Sequence, residues 1–250
     1  MWLRSLAFKS YGAMRNIIRA TGLMGPVRRM MGPAVGRLLF KLSPGGTGPI
    51  QIHGHRMYLA TPGRFPPVNM AMGRYEPRTT QLFKEIVKPG MVVIDIGAHV
   101  GYYTLIAAKQ VSEKGRVYAF EPEQSNHAIL LKNISTNGYD NVVATPMAVS
   151  DQTGISTLYI TALDNGRHSV YHHGLPERGS ATVETTTLDT FLESEGWPHI
   201  DLIKVDVEGA EVAVLDGMTQ LMGKSLDLKL IIEFNPALLQ DGGVTPIEFL

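Results

Sequence analysis

The chain has 250 residues, of which 44% are hydrophobic and 18% charged, a composition typical of a globular protein with one substantial core. It contains no cysteine, which excludes disulfides, thiol nucleophiles and zinc–thiolate sites, and it has no run of about 18 apolar residues that would predict a membrane-spanning helix. The net charge of zero hides an asymmetry, because the first 75 residues hold 11 of the 23 Lys/Arg and none of the 23 Asp/Glu.

Residues 1–45 are predicted to form a basic helical extension. Apolar residues such as Trp2 and Ile17 stand among arginines and lysines, in a pattern that indicates an amphipathic helix. Such a helix either lies on an anionic membrane surface or packs as a cap on the acidic remainder of the chain. Aromatic residues are not interleaved with the basic ones, so nucleic acid is not an expected partner. A Gly/Pro-rich linker over 43–49 ends the extension, and a small hairpin turning near Gly54 follows.

The most informative motif lies where a predicted strand over residues 91–94 passes into a helix. Asp95 follows the strand, and Gly97 and Gly101 frame the turn. A strand that feeds a helix through a glycine turn is the place where open α/β sheets bind nucleotide-like ligands. A dinucleotide fingerprint would need glycine where His99 stands, and Asp95 would repel a pyrophosphate and suit a cationic ligand instead.

The next predicted strand, over residues 116–121, ends in an acid. Glu121 lies 20 residues beyond Gly101 and is followed by Pro122. An acid at about this distance closes the second strand of a nucleotide-binding βαβ unit, where it accepts hydrogen bonds from ribose hydroxyls. The alternative is a solvated carboxylate at the end of a strand.

Strands and helices alternate along most of the chain. The predicted elements are helices over 80–87, 125–137 and 211–222, main strands over 141–149, 200–206 and 228–234, and antiparallel strands over 155–160 and 182–188. This order predicts an α/β fold with a mostly parallel, doubly wound sheet, helices on both faces and a β insertion between the third and fourth strands. Because a last helix opens only at Pro246, we expect a fragment whose C-terminal strands are missing.

Five blocks stand out by their order and spacing: Tyr75-Glu76-Pro77, Asp95-Ile96-Gly97-Ala98, Phe120-Glu121-Pro122, Ala148-Val149-Ser150-Asp151 and Lys204-Val205-Asp206-Val207-Glu208-Gly209-Ala210-Glu211. Together they resemble the FkbM family of methyltransferases over about residues 50–250. The last block is the most specific, because a generic class I methyltransferase domain need not have it. The family usually has asparagine at the position of His99, whose ring can still hydrogen-bond.

The resemblance implies a Rossmann-like class I methyltransferase fold and S-adenosylmethionine (SAM) as the cofactor. It also implies O-methylation of hydroxyls on sugars, lipids or polyketides. The cofactor-binding residues that we expect on this basis are Glu76, Asp95, Gly97, Ala98, His99, Gly101, Tyr103, Glu121, Pro122, Ala148 and Val149.

Asp206 and Glu208 are the expected catalytic residues. Asp206 ends the fourth main strand, on the rim where such sheets bind ligands, and a nearby carboxylate can take the proton of a hydroxyl acceptor. Glu208 and Glu211 have the alternative role of complementing a helix dipole, and Glu233 faces either the same rim or solvent. A divalent metal bridged by Asp206 and Glu208 is conceivable, but nothing in the sequence requires one, and we expect none. The histidines at 168, 172 and 173 are expected to pack or hydrogen-bond.

The sequence therefore predicts a SAM-dependent O-methyltransferase that acts on a small-molecule or glycolipid acceptor. An NAD(P)-binding oxidoreductase and a non-catalytic module with a SAM-binding fold are the alternatives. The predicted location is cytoplasmic, with peripheral membrane contact through residues 1–45 if they lie on a membrane surface and do not pack as a cap.

Overall fold

The computed structural model describes residues 48–59, 70, 75–161, 168–172, 174 and 177–250. The predicted basic extension over residues 1–45 lies outside them, as does His173. The chain divides into two compact units, residues 1–75 and 76–250. In the described part of the chain, no helix combines the length and the apolar character needed to cross a membrane.

The strands of the described residues are β1 (Ile50–Ile52), β2 (His55–Met57), β3 (Val92–Ile96), β4 (Arg116–Phe120), β5 (Val142–Thr145), β6 (Met147–Val149), β7 (Gly154–Thr161), β8 (Glu177–Thr186), β9 (Leu202–Val205) and β10 (Lys229–Ile232). The helices are α1 (Pro77–Ile86), α2 (Tyr102–Val111), α3 (Gln124–Asn137), α4 (Leu188–Ser194), α5 (Glu211–Asp216), α6 (Thr219–Lys224), α7 (Pro236–Asp241) and α8 (Pro246–Phe249). In the first unit, β1 and β2 form the predicted hairpin, with His53 and Gly54 at positive φ in its turn.

A five-stranded parallel sheet organises the second unit. Its strand order is β10-β9-β3-β4-β5. The chain adds β4 and β5 on one side of β3, and then returns to add β9 and β10 on the other side. Because crossovers between parallel strands are right-handed as a rule, connections that run in opposite directions from β3 place helices on both faces of the sheet and leave a crevice at the carboxyl ends of β3 and β9. The predicted doubly wound α/β fold is confirmed.

The core of the second unit lies between this sheet and its helices. Ile94, Phe120 and Ile203 of the central strands are at most 1% exposed, as expected for a parallel sheet that is covered on both faces. The helical residues Leu192 and Val214 are fully buried in the same cluster. This packing fixes the ends of β3, β4 and β9, from which the site described below is built.

Two predicted elements are each divided into two. The strand expected over residues 141–149 is interrupted at Pro146, which has no N–H for a sheet ladder, and its two halves join different sheets. The helix expected over 211–222 ends at Asp216. A Cβ on Gly217 would come within 2.1 Å of the carbonyl oxygen of Ser150, so close packing against that loop requires glycine and separates α5 from α6.

The insertion forms a separate three-stranded sheet with the order β6-β8-β7. β7 and β8 are antiparallel, which confirms the prediction from their alternating sequence pattern, whereas β6 runs parallel to β8. Ser169 and Tyr159 exchange two backbone hydrogen bonds of 2.8 and 3.3 Å. The bridge holds the segment 168–172 against β7.

Candidate active site

A cavity opens at the carboxyl ends of β3, β4 and β9. The residues that line it are Ile96, Gly97, His99, Phe120, Glu121, Pro122, Asn126, Met147, Ala148, Val149, Leu158, His168, Ser169, Val170, Asp206, Val207, Glu208 and Ala210. Three of these described side chains are carboxylic acids, and none is lysine or arginine. The charge of the lining therefore suits a cationic ligand and disfavours a pyrophosphate.

The cavity brings together eight of the thirteen predicted site residues, namely Gly97, His99, Glu121, Pro122, Ala148, Val149, Asp206 and Glu208. The other five, Glu76, Asp95, Ala98, Gly101 and Tyr103, do not line it. Its volume is about 60 Å³, whereas ligand pockets usually have ~300–1,000 Å³. A nucleoside-sized ligand therefore requires the walls to move apart.

The turn after β3 is packed tightly against the end of β9. Gly97 has φ +80°, and a Cβ at this position would lie 1.9 Å from the carbonyl oxygen of Asp206. The backbone N–H groups of Gly97 and Ala98 both donate to the carbonyl of Phe120, at 3.0 and 2.9 Å. The glycine thus lets the ends of three strands meet, which places Asp206 beside the turn.

We expect Gly97→Ala to destabilise the protein by about 2–5 kcal/mol. Positive φ costs an L-residue ~1–2 kcal/mol, and the steric overlap with Asp206 adds ~1–3 kcal/mol. Gly138→Ala is the matched control, because Gly138 also has positive φ but has nothing within 4 Å of the added Cβ. Urea unfolding of both variants measures the difference; equal losses of stability would contradict the close approach at Gly97.

Glu121 is a buried carboxyl held by backbone donors. It is 6% exposed, and its two oxygens accept hydrogen bonds from the N–H of His99 at 2.8 Å and the N–H of Glu123 at 2.9 Å. Burial raises the pKa of Glu121 to about 7, although these donors act in the opposite direction. The His99 bond ties Glu121 to the glycine turn, so the two predicted halves of the cofactor site form one structure.

Asp95 lies beneath the turn instead of at its mouth. Its side chain is 1% exposed, and Oδ2 accepts a hydrogen bond of 2.6 Å from the hydroxyl of Thr104. Burial raises the pKa of Asp95, opposed by the nearby ammonium of Lys204. In this structure Asp95 contributes charge to the buried layer behind the cavity.

Lys204 is the cation of that layer. It is 3% exposed; its Nζ lies 2.8 Å from Oδ2 of Asp206 and 4.7 Å from the ring centre of Tyr103. The hydroxyl of Tyr103 donates to Glu76 Oε2 at 2.7 Å. Glu76 and Tyr103 thus form a hydrogen bond with each other and do not line the cavity. The charge of Glu76 interacts with the ammonium of Lys204.

Asp206 and Glu233, which directly follow β9 and β10, form an acidic cluster with Glu208 of the loop after β9, with one oxygen of each within 4.8 Å of the others. Burial alone would raise the pKa of Asp206, but Lys204 holds it below its usual range. Burial, followed by the charge of Asp206, raises the pKa of Glu233 to about 7. Lys204 already neutralises one member of the cluster, and we assign no metal to it.

The loop between β9 and α5 owes its shape to a buried acid. Glu208 and Gly209 have φ of +54° and +101°, and Oε1 of Glu211 accepts hydrogen bonds from the N–H groups of Val207 and Gly209, both at 3.2 Å. Glu211 is 2% exposed. Its carboxylate therefore organises the loop that presents Glu208, a role more specific than interaction with a helix dipole.

The β insertion supplies a wall of the cavity that the sequence analysis did not assign to the site. Ser169 is 2% exposed, and its hydroxyl donates to the carbonyl of Glu208 at 2.8 Å. Nδ1 of His168 accepts the N–H of Thr161 at 3.2 Å. Asn126 of α3 was also missed. The alternating pattern revealed the insertion strands, but no local signal shows which loop they contact.

Comparison with known proteins gives the family. The model of the methyltransferase FkbM domain matches residues 95–246, more than half of the chain. Hexuronic acid methyltransferase AglP of Haloferax volcanii is 32% identical over 150 residues, which are 60% of this chain and 59% of AglP.

Two further relatives are more distant. Methyltransferase sdnD of Sordaria araneosa is 27% identical, over 51% of this chain and 60% of its own length. The 2-O-methyltransferase NoeI of Sinorhizobium fredii is 26% identical, over 58% of this chain and 64% of its own. The matches thus span about three fifths of each relative. The family model extends from Asp95 at the glycine turn, through the whole acidic cluster, to Pro246, and on this basis the chain belongs to the methyltransferase FkbM domain family.

Proposed function

We propose that this chain binds SAM in the cavity and transfers its methyl group to a hydroxyl oxygen of a sugar-like small molecule. The observation that carries the proposal is the lining of the cavity, with three carboxylic acids and no lysine or arginine among the described residues, at the crevice of a doubly wound sheet. SAM is a cationic nucleoside, and this lining suits it. A nicotinamide dinucleotide carries a pyrophosphate and would be repelled.

The residues around the cavity fit the parts of the cofactor. Glu121 would accept hydrogen bonds from the ribose hydroxyls, and the turn from Gly97 to His99 would lie along the amino-acid end. Ala148 and Val149, 8% and 4% exposed, offer an apolar surface for the adenine. When bound, SAM supplies an electrophilic methyl group on a positively charged sulfur.

The residues on the acceptor side would orient the hydroxyl and take its proton. Methyl transfer needs the acceptor oxygen, the methyl carbon and the sulfur in line, so much of the rate enhancement comes from positioning. The positive charge on sulfur disappears in the reaction, and a carboxylate paired directly with it would stabilise the ground state. The Nζ of Lys204 lies 2.8 Å from Oδ2 of Asp206, so the charge of Asp206 is already paired with Lys204 and is not needed beside the sulfur. We therefore assign Asp206 to the acceptor.

The relatives point to the acceptor class. The names of AglP and NoeI give a hexuronic acid and a 2-O position, and both agree with a carbohydrate hydroxyl. A glycolipid is the narrower form of this acceptor. Calorimetric titration of the chain with SAM and, separately, with NAD tests the cofactor. Binding of SAM alone supports the proposal, and binding of NAD alone would overturn it.

The basic extension would bring the enzyme to such an acceptor at a membrane. Residues 1–45 carry eight Lys/Arg and no Asp/Glu, and each basic residue near an anionic surface contributes about 1 kcal/mol. We expect a cytoplasmic protein that sediments with anionic vesicles, less so at higher salt, and that loses this binding when residues 1–45 are deleted. Sedimentation with neutral vesicles is the control, and absence of binding to both would leave the extension as a cap.

A further inference from the structure

Asp206 and Glu233 leave neighbouring parallel strands side by side. The register pairs Val205 of β9 with Ile232 of β10, and the N–H of Glu233 donates to the carbonyl of Val205 at 2.9 Å. One oxygen of each of the two carboxyl groups lies within 4.8 Å of the other. A hydrogen bond between two carboxyl groups requires one proton, because two carboxylates are both acceptors.

The surroundings decide which of the two carries the proton. Oδ2 of Asp206 receives the ammonium of Lys204 at 2.8 Å, which favours a negative charge on Asp206. Oε2 of Glu233 is buried and accepts no hydrogen bond from the described residues, and the effect of Lys204, which favours a charge on Glu233, is smaller than the opposing effect of burial. The pKa of Asp206 is accordingly lowered, and that of Glu233 is raised to about 7.

The other charged groups near the pair also favour a proton on Glu233 and a negative charge on Asp206. Glu211 of α5 adds negative charge, Glu208 lies in the same cluster, and His99 faces Asp206 from the glycine turn. The carboxyl group of Asp95 also interacts electrostatically with the ammonium of Lys204. Asp206 and Glu211 thus favour a proton on Glu233, whereas Lys204 and His99 favour the charged form of Asp206.

We propose that Asp206 and Glu233 form one proton-binding pair and that the ionised pair accepts the proton of the substrate hydroxyl, with Asp206 at the cavity and Glu233 as the place where that proton is then stored. This inference rests on the proposed methyl transfer. As the acceptor oxygen bonds to the methyl carbon, the C–S bond breaks and its electron pair stays on sulfur. In the ionised pair the O–H bond also breaks, its proton passes to Asp206 and on to Glu233, and Glu233 releases it to solvent after the transfer.

A shared proton explains how a lysine-paired aspartate can serve as a base. Asp206 by itself is a weak base, because Lys204 stabilises its charge. A pair that titrates near neutral pH is matched to general-base work at physiological pH, and its midpoints belong to the pair and not to either residue. Glu233 does not line the cavity, so it is a positioning residue and a proton store.

NMR titration of the protein carrying ¹³C-labelled Asp and Glu carboxyl groups tests the pair without any substrate. The Glu233 signal, identified by its loss in Glu233→Gln, is expected to titrate near pH 7, and the Asp206 signal is expected to respond at the same midpoint. Glu121→Gln is the matched control, because it removes a second buried carboxyl with a raised pKa and should leave the Glu233 midpoint unchanged. In Asp206→Asn the Glu233 midpoint is expected to fall by at least one pH unit.

A Glu233 midpoint near 4.5 in the unaltered protein, or no response of Asp206 at the Glu233 midpoint, would overturn the inference, even if Asp206→Asn does not fold. The kinetic readout is the pH profile: kcat is expected to rise through pH 7, and Glu233→Gln is expected to lower it about tenfold above that pH without changing KM for SAM. A coupled titration in a protein that methylates nothing would refute the proposed function alone, and methyl transfer with an uncoupled Glu233 would refute the pair alone.

Discussion

Replacing Glu121 with glutamine is expected to raise the Kd for SAM between about tenfold and 150-fold. A carboxylate that accepts hydrogen bonds from ribose hydroxyls contributes roughly 1.5–3 kcal/mol, and each 1.4 kcal/mol is about tenfold in affinity. The side chain is already positioned by the N–H groups of His99 and Glu123, so little order has to be gained when SAM binds. Calorimetry measures the change, with Glu113→Gln as the control because Glu113 is exposed and does not line the cavity.

The pH dependence of SAM binding gives a second test of Glu121. Its pKa is raised to about 7, so the carboxyl gains a proton and loses acceptor capacity as the pH falls through 7. The affinity of the unaltered protein for SAM is therefore expected to decrease between pH 8 and pH 6, whereas that of Glu121→Gln stays level across this step. Equal affinities of the two proteins at pH 8 would remove Glu121 from the cofactor site.

Asp206→Asn and Glu208→Gln are expected to lower turnover far more than they lower SAM affinity. Removal of a general base typically costs about 10²–10⁴-fold in rate, while the cofactor contacts assigned to Glu121 and the glycine turn remain. Steady-state methyl transfer at saturating SAM, together with calorimetry on the same samples, separates the two effects. Loss of SAM affinity with turnover retained at saturation would make these residues cofactor ligands instead.

The two variants differ in their structural risk. Asp206→Asn leaves Lys204 buried without its partner at 2.8 Å, and breaking a buried ion pair costs roughly 3–5 kcal/mol. Glu208 is half-exposed, and its replacement by glutamine keeps the loop bonds of Glu211. A folded Glu208→Gln protein with unchanged turnover would restrict the proton-accepting role to the pair of Asp206 and Glu233.

Short-range sequence patterns predict the parts of the site that depend on one βαβ unit. The apolar run before Asp95, the glycines of the turn and the spacing to Glu121 are local, and the structure places the turn and Glu121 together through the 2.8 Å bond from His99. The break at Pro146 was also available from the sequence, since proline cannot continue a central strand. The apolar residues on both sides of Pro146 nevertheless predict one uninterrupted strand over residues 141–149.

The charge layer behind the cavity could not be predicted from the sequence. Asp95 is polar and follows the predicted strand over residues 91–94, which favours a position at the rim, yet it lies within β3 and is buried beside Lys204 from a distant part of the chain. Its burial depends on the order of the strands, which places β9 beside β3. Glu76 and Tyr103 meet for the same kind of reason, through the packing of α1 against α2.

The partnership of Asp206 and Glu233 likewise depends on strand order. Each residue simply ends an apolar strand in the sequence, and either could face solvent. Only the pairing of β9 with β10 in parallel register brings the two carboxyl groups together. Gly217 is a similar case, because an isolated glycine inside a helical pattern is often tolerated, and its contact with Ser150 becomes visible only in the folded chain.

The most direct test of the account is methyl transfer itself. The chain is incubated with SAM labelled on the methyl group and with free hexuronic acids, neutral hexoses or glycolipids in separate reactions, and the products are separated and counted. We expect label on a hydroxyl oxygen of at least one carbohydrate acceptor, with the rate reduced about 10²-fold or more in Glu208→Gln or Asp206→Asn. Binding of SAM without transfer to any of these acceptors would contradict it and would leave a SAM-binding module without this activity.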